Sequence, residues 1–279
     1  TLPPSLGFPS YKENLGEVVN EGWEFTLRGF VVKKEDFNIM LSVNGAQNNN
    51  KLKKISNSLK AFNEEQDKQV ENKVMARYVE GQSLNTIWVV RSLGIDPANG
   101  KELFLDKNGK RTYDWNADDY VAEATTDPRL YGNLGLGIFY RGFSLNTYVN
   151  YSLGEKAYNQ TLVDRVENAD IANGNVDLRV LTQRWQKPGD VAEFKNIADS
   201  KLTTLPTSRF VQDKKYIRLS ALTLSYDFNR EWIKKHLHMN MLRLEMSSSD
   251  FINWNSIRQE RGLSYPKSWK VDFSLKAQF

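Results

Sequence analysis

The last eleven residues alternate. Trp269, Val271, Phe273, Leu275, Ala277 and Phe279 are apolar, and Lys270, Asp272, Ser274, Lys276 and Gln278 between them are polar. Strict alternation is the period of a β-strand with one apolar and one polar face. Six earlier segments repeat it. The apolar series are Trp23, Phe25, Leu27 and Val31; then Phe37, Ile39, Leu41 and Val43; then Leu134, Leu136, Ile138 and Tyr140. They continue as Phe143, Leu145, Val149 and Tyr151; then Leu222, Leu224, Tyr226 and Phe228; then Leu242, Leu244 and Met246.

The connections between these strands alternate between short and long. KKED, Arg141-Gly142 and NREWIKKHLH are the short ones, and roughly residues 47–131, 153–215 and 249–267 are the long ones. Outer-membrane barrels have this asymmetry, with short periplasmic turns and long extracellular loops. With the C-terminus placed in the periplasm, every loop length agrees with its side. The segment 47–131 has room for one more strand pair around SLNTIWVVRSL, so the count is seven strands, or nine. The terminal strand, at about 3.4 Å per residue and a tilt near about 40°, spans roughly 28 Å, close to an apolar band of about 25 Å.

In a barrel, one set of side chains meets lipid and the other the lumen. The lipid-facing set is Leu145, Val149, Leu222, Leu224, Leu242, Leu244, Val271, Phe273, Leu275 and Phe279. The lumen-facing set is Asn146, Tyr148, Asn150, Thr223, Ser225, Asp227, Arg243, Glu245, Asp272, Ser274 and Lys276. An odd count in one chain cannot close in the usual even-numbered way, and an open sheet leaves edge groups unpaired in lipid. The fold class expected is therefore all-β, with residues 1–279 forming the C-terminal portion of a large antiparallel transmembrane barrel.

Composition is compatible with this. A mean hydropathy of -0.58 argues against a helical membrane protein but not against a barrel, half of whose strand residues are polar. No apolar run reaches the roughly 18 residues of a transmembrane helix. The opening residues TLPPSLGFPSYKENLG carry no basic or apolar leader pattern, so no signal peptide is read there. The net charge of +4 is spread without a basic block, which disfavours nucleic acid. Cysteine is absent, which removes disulfides and thiolate chemistry. Phe, Tyr and Trp make up 12% of the chain, as expected of barrel girdles or sugar-binding surfaces.

Several segments in order carry a family resemblance: ENLGEVVNEGWEFTL, VNGAQNNNKLKKIS, EGQSLNTIWVVRSLGIDPANG, RWQKPGDV, TSRFVQDKKYIRLSALTLSYDF, QERGLSYP and the aromatic last strand. Together they resemble the C-terminal part of SusC/RagA-type TonB-dependent transporters of Bacteroidetes outer membranes. The resemblance implies a roughly 22-stranded barrel with a plug domain, of which the plug and roughly the first 13–15 strands are not in this sequence. It implies active import of a large nutrient, a glycan first and a peptide second. It also implies a SusD-like surface lipoprotein as partner and power supplied by the TonB complex through the absent N-terminal part. The terminal Phe279 looks like the signal read by the outer-membrane assembly machinery, or is simply a girdle residue.

Other motifs point to little chemistry. His236 and His238 could share one strand face, but no further ligand accompanies them, and polar turn residues are the expectation. LDKNGKR lacks the later ligands of a calcium loop and reads as a turn. Gly135 and Gly137 in GLGIFYRG have no following helix to bind phosphate and leave room beside bulky neighbours. No catalytic residue, metal site or cofactor is expected, and the chain is not read as an enzyme. Loop aromatics Trp115, Trp185, Trp254 and Tyr265, with Arg258, Glu260 and Arg261, are the candidates for touching substrate or partner. The competing readings are a soluble or surface-exposed all-β carbohydrate-binding domain, whose apolar strand faces bury one another, and a small closed porin.

Overall fold

The computed structural model describes residues 16–69, 71–198, 203–257 and 269–279. The described residues form eleven strands: β1 (Gly16–Lys33), β2 (Phe37–Ile55), β3 (Thr86–Ile95), β4 (Glu102–Leu105), β5 (Arg111–Thr112), β6 (Tyr120–Thr125), β7 (Leu130–Tyr140), β8 (Phe143–Tyr158), β9 (Val211–Asp227), β10 (Met241–Asn255) and β11 (Val271–Gln278). Two compact units result. One contains residues 22–48, 126–161 and 211–279; the other contains the described parts of 1–21, 49–125 and 162–210. The long strands β1 and β2 contribute residues to both.

The first unit is built on a seven-stranded sheet in the order β1-β2-β7-β8-β9-β10-β11. These are the seven alternating segments of the sequence, each beside its chain neighbour. The turn from β7 to β8 has only Arg141 and Gly142, with φ of 44° and 90°. Both lie in the left-handed region, as a two-residue type I′ hairpin requires. A side chain at Gly142 would meet the Asp227 carbonyl at 2.6 Å, so the position admits only glycine. Arg141 is held by Asp36, which accepts from its Nε at 3.3 Å. The third short connection is a helix, Arg230–Leu237, capped by the Asn229 side chain. Its Ile233 is fully buried.

The register keeps the two faces intact across bulges. Ser220 is the extra residue where β8 and β9 slip between Tyr148 and Val149. Its hydroxyl donates to the Tyr148 carbonyl at 3.0 Å, so the irregularity leaves that carbonyl paired. Gly45 and Gly132 lie opposite each other on β2 and β7. Rings occupy the space their side chains would take: Phe25 crowds Gly45, and the Tyr151 hydroxyl reaches across both to the Asn44 carbonyl at 2.9 Å.

The second unit holds a four-stranded sheet in the order β5-β4-β3-β6. This corrects the possible extra wall pair near SLNTIWVVRSL: the strand exists, but it pairs with β4 and β6. The reason is visible in its residues. Ile87, Trp88, Val89 and Val90 are all buried, so both faces of the first half of β3 are dry. A continuous apolar run is the pattern of an interior strand, whereas a wall strand alternates. The Val90 amide also donates to the Pro206 carbonyl at 3.2 Å, tying the segment before β9 to this sheet. Two other expectations shift in length only. β11 has eight residues rather than eleven, and β2, β8, β9 and β10 extend well into the segments expected to be long loops.

Candidate functional site: polar sheet face and loop scaffold

Direct cross-strand partners point to the same face of a sheet, so the register decides which side chains share a surface. Arg243 stands between Asp227 and Lys276, Glu245 between Ser225 and Ser274, and Ser247 between Thr223 and Asp272. Asn146 opposes Thr223, Tyr148 opposes Ala221, and Asn150 follows on the same face of β8. The register thus groups the expected lumen set on one face. Its charges are matched. Arg243 grips Asp227 through two bonds of 2.5 and 2.7 Å. Lys276 donates to both oxygens of Glu245 at 3.1 and 3.0 Å. Lys156 pairs with Asp213 at 2.8 Å. What remains available is hydroxyl and amide chemistry, suited to hydrogen-bonding uncharged polar solutes.

The other face is predominantly apolar. Leu145, Leu224, Met246 and Phe273 form one row across β8 to β11. Leu244 lies between Tyr226 and Leu275, Leu222 is in line with Val271, and Leu242 opposes Ala277. Val149 pairs with Leu134 and Leu219. This face is not covered: Phe273 is 74% exposed and Phe279 81%.

Aromatic rings concentrate at its two ends. At the turn end, Phe37, Tyr140, Phe143 and Tyr226 are successive cross-strand partners over β2, β7, β8 and β9. The Phe143 and Tyr226 centroids are 4.4 Å apart, and Phe228 lies 5.0 Å beyond Tyr226. At the loop end are Trp23, Tyr151, Trp254 and Trp269. Between them the side chains are mainly Leu, Ile, Val and Met, with Phe273 a lone ring and Thr147 and Ser248 the polar interruptions. From Phe143 to Tyr151 is about 27 Å along the strand, or about 21 Å after a tilt of about 40°, near the height of a lipid-spanning band of about 25 Å.

The candidate loop aromatics have other placements. Trp185 is buried, its ring against Gly100 and its Nε1 donating to the Pro97 carbonyl at 2.9 Å. It belongs to the loop core and offers no open ring face. Trp115 is half-buried, packs edge-on against Tyr120 and donates to the Pro206 carbonyl at 3.1 Å. Trp254 is not in a loop: β10 extends to Asn255, and its register with Ile217 places Trp254 on the apolar face. Arg258, Glu260, Arg261 and Tyr265 lie outside the described residues.

The loop unit contains a charged cluster that no sequence pattern announced. Arg209 donates to Glu102 at 2.7 Å and to Glu167 at 2.6 Å, both carboxylates being buried and the guanidinium nearly so. Arg184, also buried, donates to the carbonyls of Lys195, Val166 and Glu167. Burial works against the Arg209 charge, but Glu102 and Glu167 outweigh it and raise its pKa. Arg184 moves the other way: burial lowers it, with Glu167 opposing. Burial, then the charge of Asp67, pushes Tyr120 up to about 12. The Asp106 carboxylate caps its own turn through the amides of Asn108 and Lys110, both at 2.8 Å, and its pKa is lowered chiefly by the Lys110 amide. This is the tight turn expected of LDKNGKR. His236 and His238 sit on and after the turn helix rather than on a strand; His238 is its left-handed cap. Among the described residues no group of three or more His, Cys, Asp or Glu is placed to hold a metal. No helix among them is long and apolar enough to cross a membrane, which says nothing of strands.

The architecture is that of a strand meander from a large antiparallel barrel. Comparison with known proteins agrees. The TonB-dependent receptor P3 of Formosa agariphila is 23% identical, over 91% of this chain and 26% of its own length. The TonB-dependent receptor P39 of the same organism is 21% identical, over all of this chain and 32% of its own. The TonB-dependent receptor SusC of Bacteroides thetaiotaomicron is 24% identical over 79% of this chain. Among solved structures, the RagAB peptide importer in its open-open state superposes with a TM-score of 0.72 at 18% identity, covering all of this chain and 30% of the other. The closed-closed state gives 0.70 at 19% identity. No protein-family model matches. The chain is thus similar to TonB-dependent receptors, SusC among them, and it spans about a quarter to a third of the length of the first two.

Proposed function

We propose that this chain is the C-terminal barrel wall of a SusC-like, TonB-dependent outer-membrane importer of a large nutrient. The polar face lines the lumen and the apolar face meets lipid. The C-terminus and the short connections are periplasmic, and the long connections supply extracellular surface for substrate and for a SusD-like lipoprotein. The rest of the receptor supplies the plug and the link to TonB. No catalytic role is assigned. The cargo is an oligosaccharide or a peptide. A polar face of hydroxyls, amides and paired charges suits either, since both are rich in neutral hydrogen-bonding groups.

One observation carries the reading. An apolar face seven strands wide is exposed, with aromatic rings at both ends and mainly aliphatic side chains between. A soluble domain would bury such a face, because large exposed apolar patches mark lipid or partner surfaces. The all-β carbohydrate-binding domain predicts the opposite, and the small porin conflicts with relatives three to four times as long as this chain. The test is the intact mass of the polypeptide extracted with detergent from native outer membranes. A mass three to four times 32.2 kDa, with a lipoprotein co-purifying, is expected. A water-soluble 32.2 kDa monomer would overturn the reading.

A further inference from the structure

The helix Arg230–Leu237 in the β9–β10 connection is built for more than reversing the chain. One residue, Ile233, anchors it to its own unit and is completely buried. The rest faces outward. Arg230, Glu231, Trp232, Lys234, Lys235, His236 and Leu237 are all exposed, Trp232 at 50%. Among the described residues none of Arg230, Lys234 and Lys235 is in an ion pair, so three cations stand against one carboxylate. Elsewhere in this unit cations such as Arg243, Lys276 and Lys156 are paired. The tryptophan is held in place: His236 stacks on it at 5.1 Å, with its Nδ1 2.9 Å from the Trp232 carbonyl.

Position adds the second argument. The helix starts two residues after Phe228, the last ring of the aromatic band formed with Phe37, Tyr140, Phe143 and Tyr226. Such bands mark the depth of lipid headgroups. A short helix at that depth with an exposed indole and unpaired ammonium and guanidinium groups has the chemistry of an interfacial anchor. We propose that this helix binds the phosphate headgroups of anionic phospholipid in the leaflet that the turn end of the sheet meets. Trp232 inserts at the headgroup level, and Arg230, Lys234 and Lys235 take the phosphates. The proposal rests on the membrane-wall reading above and goes beyond it by naming the lipid class and the residues.

The test uses the complete receptor in phosphatidylcholine bilayers that contain brominated phosphatidylglycerol or, separately, brominated phosphatidylcholine. Bromine quenches tryptophan on contact. Quenching lost in Trp254→Phe reports whether the apolar face meets lipid, independently of the helix. Quenching lost in Trp232→Phe reports the helix. The expected result is that the Trp232 component is at least about twofold stronger with the anionic lipid, because basic groups are drawn to a negatively charged surface. The preference should vanish in Arg230→Gln/Lys234→Gln/Lys235→Gln while the Trp254 component persists, showing that this variant still assembles. Equal quenching of Trp232 by both lipids, or none, overturns the proposal and leaves the barrel standing. Loss of the Trp254 component in the wild type overturns the barrel reading itself.

Discussion

The two units bury opposite things. Among the described residues, fourteen of the sixteen buried apolar side chains belong to the loop unit, and only Ile233 and Ile257 belong to the sheet unit. The sheet unit instead has Ser152, Glu155 and Ser225 buried and shows Phe273 and Phe279 to the outside. The loop unit follows the ordinary rule of an apolar interior in water. On the reading proposed above, the sheet unit obeys the same physics with the solvent changed: its exposed apolar side would meet lipid and its polar side would hold water. The same 20 amino acids are being sorted by two different surroundings within one chain.

The comparison is sharpened most by removing Arg209 from the charged cluster of the loop unit. Arg209 neutralises two buried carboxylates that come from positions far apart in the chain, Glu102 and Glu167. Arg209→Met leaves both unpaired, and breaking a buried pair this way costs about 3–5 kcal/mol. The expected outcome is loss of hydrogen-exchange protection in β3, β4 and the segment 162–167, with protection of β8 to β11 retained. Converting Glu102 and Glu167 to Gln in the same background should recover part of the loss. If all strands lose protection together, the two units are not separate in energy.

A second experiment places one charge on either side of the same strand. Leu145 and Asn146 are neighbours in β8, and the register puts them on opposite faces. Leu145→Lys sets an ammonium group among Ile138 and Leu224, one row in from the turn-end aromatic band, where a lipid-facing cation costs between the roughly 0–1 kcal/mol of the interface and the roughly 2–4 kcal/mol of the midplane. Asn146→Lys sets it on the hydrated face, where a surface change is usually within about 0.5 kcal/mol. Folding into bilayers, followed by denaturant titration, should separate the two. Equal tolerance would mean that neither face is in lipid.

How much of this was legible follows from the same contrast. Alternation is a local property, so the seven wall strands, their faces and the Arg141-Gly142 hairpin could be read residue by residue. The loop unit is made of long-range pairings, and its key residues look like ordinary surface charges in sequence: Glu102, Glu167 and Arg209 lie in three different segments. The unbroken run Ile87–Val90 was the one available signal, since it lacks the alternation of a wall strand. Trp185 and Trp115 illustrate the limit from the other side. An aromatic in a long polar segment suggests a ligand platform, but here the segment is long enough to build its own core, and the rings were used there. Trp254 was misplaced for a simpler reason: two bulge residues at Asp250 and Phe251 obscure the alternation and hide that the strand continues.

The smallest expected effect concerns pH and again divides the units. Tyr120 is held in the loop unit beside Trp115, with burial first and Asp67 second pushing its pKa to about 12. An unfolded tyrosine titrates at about 10. A raised folded value means that the neutral phenol is favoured in the fold. Its contribution is complete below about pH 10 and is lost as pH rises through about 12. Between these values the loop unit should loosen while the sheet unit does not change. Ultraviolet titration of tyrosinate should show a late-titrating component that shrinks in Tyr120→Phe, and hydrogen exchange at alkaline pH should locate the loosening in β3 and β6. If Tyr120 titrates with the ordinary tyrosines, the interior of the loop unit is wetter than its packing implies, and the contrast between a dry loop core and a hydrated sheet face loses one of its supports.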